Sequence, residues 1–199
     1  CEVPIKVMGM EGDMIVSDLV LEYDEVEEEP VDETVPEEDS EEDIIPEEDG
    51  EEQVIDIKSS CSGSSCICGD TVVGDVTLTG DLLNSTGGTV CPGHGLVVGA
   101  NNIVIDCNGY NITGDVSALR HGIELYYDNV TIKNCVISGY DYYSGGDSAA
   151  IYVTGSNNLI KNNTLTENNY GVSIRGGPSG NNVTGNKLIS NSVGIYETG

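Results

Sequence analysis

The sequence predicts an all-β solenoid, a stack of short parallel strands, and three observations carry that prediction. A short strand phrase recurs from Gly95 onward, asparagines crowd the gaps between strands, and apolar residues fall into register between recurrences. The phrase reads "GLVV", "GIEL", "AIYV", "GVSI" and "GIYE", beginning at Gly95, Gly122, Ala150, Gly171 and Gly194. The spacings are 27, 28, 21 and 23 residues. A unit that small cannot bury a face alone and must stack on its copies.

Each phrase alternates as a half-buried strand does. Leu96, Ile123, Ile151, Val172 and Ile195 fall in one column, and Val98, Leu125, Val153 and Ile174 in another. Between them runs a mostly polar column: Val97, Glu124, Tyr152, Ser173 and Tyr196. The first four phrases lead through an asparagine-containing turn into a second strand: "NNIVIDCNGYNI", "DNVTIKNCVI", "NNLIKNNTL" and "NNVTGNKL". There Ile105, Ile132, Ile160 and Val183 align, as do Ile112, Ile137, Leu165 and Leu188. This register sets Asp106 beside Lys133, then Lys161, an exposed pairing worth at most about 1 kcal/mol.

Asparagine suits neither helix nor strand, because its amide competes with the backbone for hydrogen bonds. It suits corners, where it tolerates left-handed backbone angles. The run "NNLIKNNTLTENN", Asn157 to Asn169, therefore reads as a chain that turns repeatedly. Stacked asparagines bond amide to amide from coil to coil. Asn163 and Asn186 are the expected ladder, with Asn108 and Cys135 at equivalent positions.

The repeated "NN-x-I-x-x-N" turns, with "CGDTVVGDVTLTGDLL" followed by "GLVVGANNIVIDCNGYNITG", resemble the parallel β-helix repeat proteins. That family includes the NosD-type periplasmic and surface proteins. The resemblance spans about residues 66–199 and implies a right-handed parallel β-helix whose first strand pair caps the stack. Its members range from polysaccharide lyases and hydrolases to adhesins and structural surface proteins, so the fold alone does not fix an activity.

Ahead of the coils the chain changes character. Residues 1–23 contain two alternating stretches, "VPIKVMG" and "MIVSDLVLEY", read as a short β segment at the end of a preceding domain. Residues 24–60 read as an acidic, disordered linker. Asp24 to Glu52 holds 18 carboxylates and no base, and the near-repeats "VPEEDSEED" and "IPEEDGEEQ" favour extension. Residues 61–94 read as the N-terminal cap and 95–199 as the coils. The last phrase, "VGIYETG", leaves Val193 and Ile195 on an uncovered strand. Further coils beyond Gly199 are therefore expected, as is self-association through that edge.

Net charge is −28, yet residues 54–199 carry 12 acids against 6 bases, so the acidity belongs to the linker. Nucleic acid is excluded as a partner for want of a basic surface. No apolar run is long enough to cross a membrane. Seven cysteines and five Asn-x-Ser/Thr sequons favour an oxidising, exported setting: extracellular, cell-surface or periplasmic. Cys61, Cys66, Cys68, Cys91, Cys107 and Cys135 are disulfide candidates whose pairing the sequence leaves open, although Cys107 and Cys135 fall on neighbouring coils. A zinc site drawn from Cys61, Cys66, Cys68, Cys91 and His94 has the wrong ligand spacing, and no metal or other cofactor is expected.

"PGHGL", Pro92 to Leu96, resembles a motif of pectin-hydrolysing β-helices. The companion motifs of that family are missing, and His94 reads as a turn residue. Glycoside hydrolysis needs two carboxyl groups roughly 5–10 Å apart across a groove. Asp106 and Glu124, on adjacent coils but different strands, do not pair convincingly. No catalytic residue is assigned.

The two longer spacings place insertions at one corner, "GDVSALRHG" and "GYDYYSGGDSAA", side by side on one edge. They bring Arg120, His121, Tyr140, Asp141, Tyr142, Tyr143 and Asp147 together as a candidate carbohydrate-binding cluster near Asp115. Rings stack on the apolar faces of sugars while polar groups bind hydroxyls. The functional expectation is an exported β-helix module with a structural, adhesive or carbohydrate-binding role. Its expected partners are surface polysaccharides or neighbouring surface proteins. The alternative is a polysaccharide lyase or glycoside hydrolase whose catalytic residues lie outside this segment.

Overall fold

The computed structural model describes residues 15–17, 20–22, 60–116, 119–141 and 146–199. β1 (Ile15–Ser17) and β2 (Val20–Glu22) precede β3 (Ser60–Gly63), the long β4 (Asp70–Thr77) and β5 (Val90–Cys91). Four three-strand coils follow. The first is β6 (Leu96–Val98), β7 (Val104–Asp106) and β8 (Asn111–Gly114). The second is β9 (His121–Leu125), β10 (Thr131–Lys133) and β11 (Val136–Ser138). The third is β12 (Ala149–Val153), β13 (Leu159–Lys161) and β14 (Thr164–Thr166). The fourth is β15 (Tyr170–Arg175), β16 (Asn182–Thr184) and β17 (Lys187–Ile189), and β18 (Val193–Thr198) opens a fifth. The predicted acidic linker falls outside the described residues, apart from Ser60.

Every strand pairs in parallel with its counterpart one coil away, which makes a parallel β-helix with three faces. The first sheet runs β4, β6, β9, β12, β15, β18; the second runs β4, β7, β10, β13, β16, β1; the third runs β5, β8, β11, β14, β17, β2. β4 belongs to two sheets because it bends. Asp70–Val72 pairs with β6, and Val76–Thr77 pairs with β7. β3 pairs along the opposite edge of β4 and starts the stack.

The register follows the predicted columns. Leu96 stands beside Ile123, Ile123 beside Ile151, Ile151 beside Val172, and Val172 beside Ile195. Ile105, Ile132, Ile160 and Val183 align in the second sheet, and Ile112, Ile137, Leu165 and Leu188 in the third. All of these are buried. Each fully buried aliphatic side chain contributes about 1.5–3 kcal/mol relative to exposure, so the columns are the main source of cohesion. Lys133 pairs with Asp106 at 3.0 Å on the outside. Partial burial works against the Asp106 charge. Hydrogen bonds from Asn134 and the Asn108 N–H, together with Lys133, outweigh that effect and lower its pKa.

Corners explain the asparagines. In the third and fourth coils each corner contains a left-handed residue followed by an inward asparagine; the first corner takes five or six residues, the second two and the third three. Asn157, Asn162 and Glu167 have φ of 58°, 55° and 54°, and Asn158, Asn163 and Asn168 follow them. One coil on, Gly180, Gly185 and Ser190 are likewise left-handed, with φ of 73°, 64° and 48°, ahead of Asn181, Asn186 and Asn191. Three ladders result, one per corner. The N–H groups of Asn158, Asn163 and Asn168 donate to the Oδ1 atoms of Asn181, Asn186 and Asn191 at 2.9, 2.9 and 3.1 Å.

Asn108 does not join the middle ladder. β7 and β8 are separated by four residues where later coils use two, so Asn108 is carried to the exposed outer turn at φ 52°. Cys107 takes the inward place instead, bonded to Cys135 as a disulfide across the coils. The other two disulfides, Cys61–Cys66 and Cys68–Cys91, fasten the start of the stack.

Candidate functional site

The outward face of the first sheet gathers rings and charges from successive coils. The register Glu124–Tyr152–Ser173–Tyr196 forms one column, in which Glu124, Tyr152 and Tyr196 are partly exposed and Ser173 is covered. A second column precedes it: His121, Ala149, Tyr170 and Val193 stand side by side one coil apart. Strands repeat at about 4.8 Å, which is close to the stacking distance of aromatic rings.

Rings accordingly meet between coils. His94 and His121 have centroids 5.4 Å apart, His121 lies stacked on Tyr152 at 4.4 Å, and Tyr126 meets the Tyr152 edge at 6.2 Å. Further along the axis Tyr170 and Tyr196 are 5.1 Å apart. The Arg175 guanidinium sits 4.5 Å from the Tyr196 centroid and 5.8 Å from that of Tyr170. Such a cation over a ring face is attracted by the ring quadrupole.

Polar contacts hold these groups in place. Arg175 Nε donates to Ser173 Oγ at 3.2 Å, and its Nη2 pairs with Asp147. The Tyr126 hydroxyl donates to Glu124 Oε1, and burial with that bond raises the Tyr126 pKa. His94 Nδ1 accepts the His121 N–H at 3.2 Å and lies 3.8 Å from Glu124 Oε2. Burial, reinforced by His94, Arg120 and Arg175, drops the His121 pKa to about 3, so its ring is neutral at ordinary pH.

The corner insertions flank this face. They are adjacent, since the Arg120 N–H meets Ser148 Oγ at 3.4 Å, and Asn169 Nδ2 donates to the Gly146 carbonyl at 2.7 Å. Of the residues predicted there, His121 and Asp147 reach the ring face. Arg120 is exposed and its guanidinium donates to the Leu119 carbonyl, while Asp141 is half-buried. Tyr142 and Tyr143 lie outside the described residues.

Tyr140 departs from the expectation. It is 1% exposed, and its ring lies 2.8 Å from where a Cβ on Gly114 would stand. The ring fills the space that glycine leaves, so Tyr140 is a core residue and offers no surface to a ligand. Among the described residues, the tyrosines on the outer face of the first sheet are instead Tyr126, Tyr152, Tyr170 and Tyr196. The signal for Tyr152 and Tyr196 lay in the polar column of the repeat phrases, that for His121 and Tyr170 in the residue just before a phrase, and that for Tyr126 in the residue just after one.

A family profile described as periplasmic copper-binding protein (NosD) matches residues 67–199. No curated protein and no solved structure matches the chain. Among the described residues, no helix is long and apolar enough to cross a membrane.

Proposed function

The chain belongs to the NosD family of parallel β-helix proteins, and we propose that it is an exported, non-catalytic module that holds polysaccharide along the first sheet's outer face. The observation that carries this reading is two groups of rings that successive coils bring to this face, His94–His121–Tyr152–Tyr126 and Tyr170–Tyr196. A sugar chain presents apolar C–H faces and a rim of hydroxyls. Amphipathic rings with nearby polar groups answer both needs. A chain lying along the axis meets new side chains at every coil.

Charge selects among polysaccharides. Arg175 is paired with Asp147, Glu124 accepts from Tyr126 beside His94, and His121 is neutral. With its cation already paired, the face favours a neutral chain over a uronate polymer. An adhesive role at the cell surface follows from such binding.

The family description names copper, whose usual ligands are imidazole, thiolate and thioether. Among the described residues, Cys61, Cys66 and Asp70 form the one group of three ligand atoms within 4.8 Å of one another, and its sulfurs are joined in a disulfide. His94, His121 and Glu124 do not close to that distance. These residues do not fit a ready copper centre, and the proposed binding uses none.

Calorimetric titration with neutral hexasaccharides (gluco-, manno- and xylo-) and with hexagalacturonate tests the reading. Saturable binding of a neutral chain without release of new reducing ends is the expected result. Binding of the uronate alone, or chain cleavage, would contradict it.

A further inference from the structure

The fifth coil is assembled from two segments far apart in the sequence. β18 supplies its first-sheet strand by pairing with β15. Its places in the second and third sheets are taken by β1, beside β16, and β2, beside β17. Both pairings are parallel, as in every other coil, and these strands belong to the same compact unit as the solenoid.

The sequence of this segment matches the place it takes. The fourth coil runs β16, two corner residues, then β17; the segment runs β1, the two residues Asp18 and Leu19, then β2. Three residues, two, then three recur in the third coil as well. Val16 stands in register with Val183, and Leu21 with Leu188. Their columns continue through Ile160 and Ile132, and through Leu165 and Ile137, all buried. A preceding β domain would have no need of this spacing or this register.

We infer that residues 15–22 are a tethered closing segment, which seats on the β16–β17 edge of its own chain and completes the coil that β18 begins. An open solenoid edge offers unpaired backbone groups and apolar columns to any strand that meets it. Adding a strand pair satisfies those groups, as in β-augmentation. The 37 residues between Glu22 and Ser60 reach at most about 120 Å, whereas five coils rise about 24 Å, so the segment meets no limit of length. A tether that spans the distance makes closure within one chain outcompete capture by a second copy at ordinary concentrations. The seating and a further coil continuing from β18 exclude each other, because both need the same two places.

Nicking the full chain with a glutamate-specific protease between residues 24 and 57, followed by native size exclusion, tests this seating. The expected result is an N-terminal fragment that co-elutes with a monomeric solenoid, with cleavage at Glu22 suppressed. Val16→Lys with Leu21→Lys should abolish co-elution while the solenoid keeps its circular dichroism. Ser17→Lys, in line with the outward Thr184, should retain it. Separation of the wild-type fragment after nicking would overturn the inference. So would a dimer before nicking that dissociates only with the double variant, since the segment would then be exchanged between copies.

Discussion

The Asn163 side-chain amide donates to Oδ1 of Asn186, 2.9 Å away on the next coil. In the other direction Asn163 Oδ1 accepts the Cys135 N–H at 2.9 Å, and its amide reaches the Ile132 carbonyl at 3.2 Å. One buried side chain thus satisfies backbone groups on the neighbouring coil that the corner would otherwise leave unpaired. Above it the Cys107–Cys135 disulfide takes over the same column.

Replacing Asn163 with Ala removes the acceptor of the Cys135 N–H and the donor to Ile132, both buried. Leaving such groups unpaired costs about 1–3 kcal/mol each, so Asn163→Ala is expected to lower stability by about 2–6 kcal/mol. Urea unfolding monitored by far-UV circular dichroism measures it. A loss below about 0.5 kcal/mol would mean that water or relaxation replaces the ladder.

The fold was legible because solenoid columns repeat along the sequence: Leu96, Ile123, Ile151 and Val172 announce their own neighbours. All three ladders are equally regular in the sequence. Asn158, Asn163 and Asn168 are five residues apart, and each has a partner 23 residues on. Asn108 was misplaced because a two-residue insertion at one corner breaks that arithmetic. The site was legible only in part. Whether a ring after a strand turns in or out depends on what the facing coil lacks, and Tyr140 turns inward because Gly114 has no side chain. No spacing rule reports that complementarity.

Tyr140 gives a sharp test of that correction. Its hydroxyl is buried with no hydrogen-bond partner, and burial raises its pKa. Tyr140→Phe keeps the ring and removes an unpaired polar group. The variant is expected to be as stable as the parent or up to about 1 kcal/mol more so, with unchanged sugar binding. Loss of binding with intact stability would return Tyr140 to the site.

His121 should make the protein acid-sensitive. Its folded pKa, about 3, lies below the ordinary value of 6.5, so between these pH values the unfolded chain binds a proton that the folded chain does not. Stability contributed by the neutral ring is therefore present above pH 6.5 and is lost as pH falls toward 3. Between pH 7 and pH 5 the loss is about 2 kcal/mol. Urea midpoints at the two values should shift accordingly in the wild type and far less in His121→Gln. Equal shifts in both would place the sensitivity elsewhere.

The central claim is that rings on the outer face of the first sheet bind a polysaccharide, and the Tyr152→Ala/Tyr196→Ala double variant tests it most directly. Both side chains are only partly buried and stand on the outward column, so the solenoid should keep its thermal midpoint within a few degrees. Aromatic contacts are worth about 0.5–1.5 kcal/mol per ring, and two of them at about 1 kcal/mol each correspond to a loss of at least tenfold in affinity. Calorimetric titration of the neutral hexasaccharide that binds the wild type best is the measurement. The account predicts at least a tenfold rise in Kd with an unchanged midpoint; an unchanged Kd would contradict it.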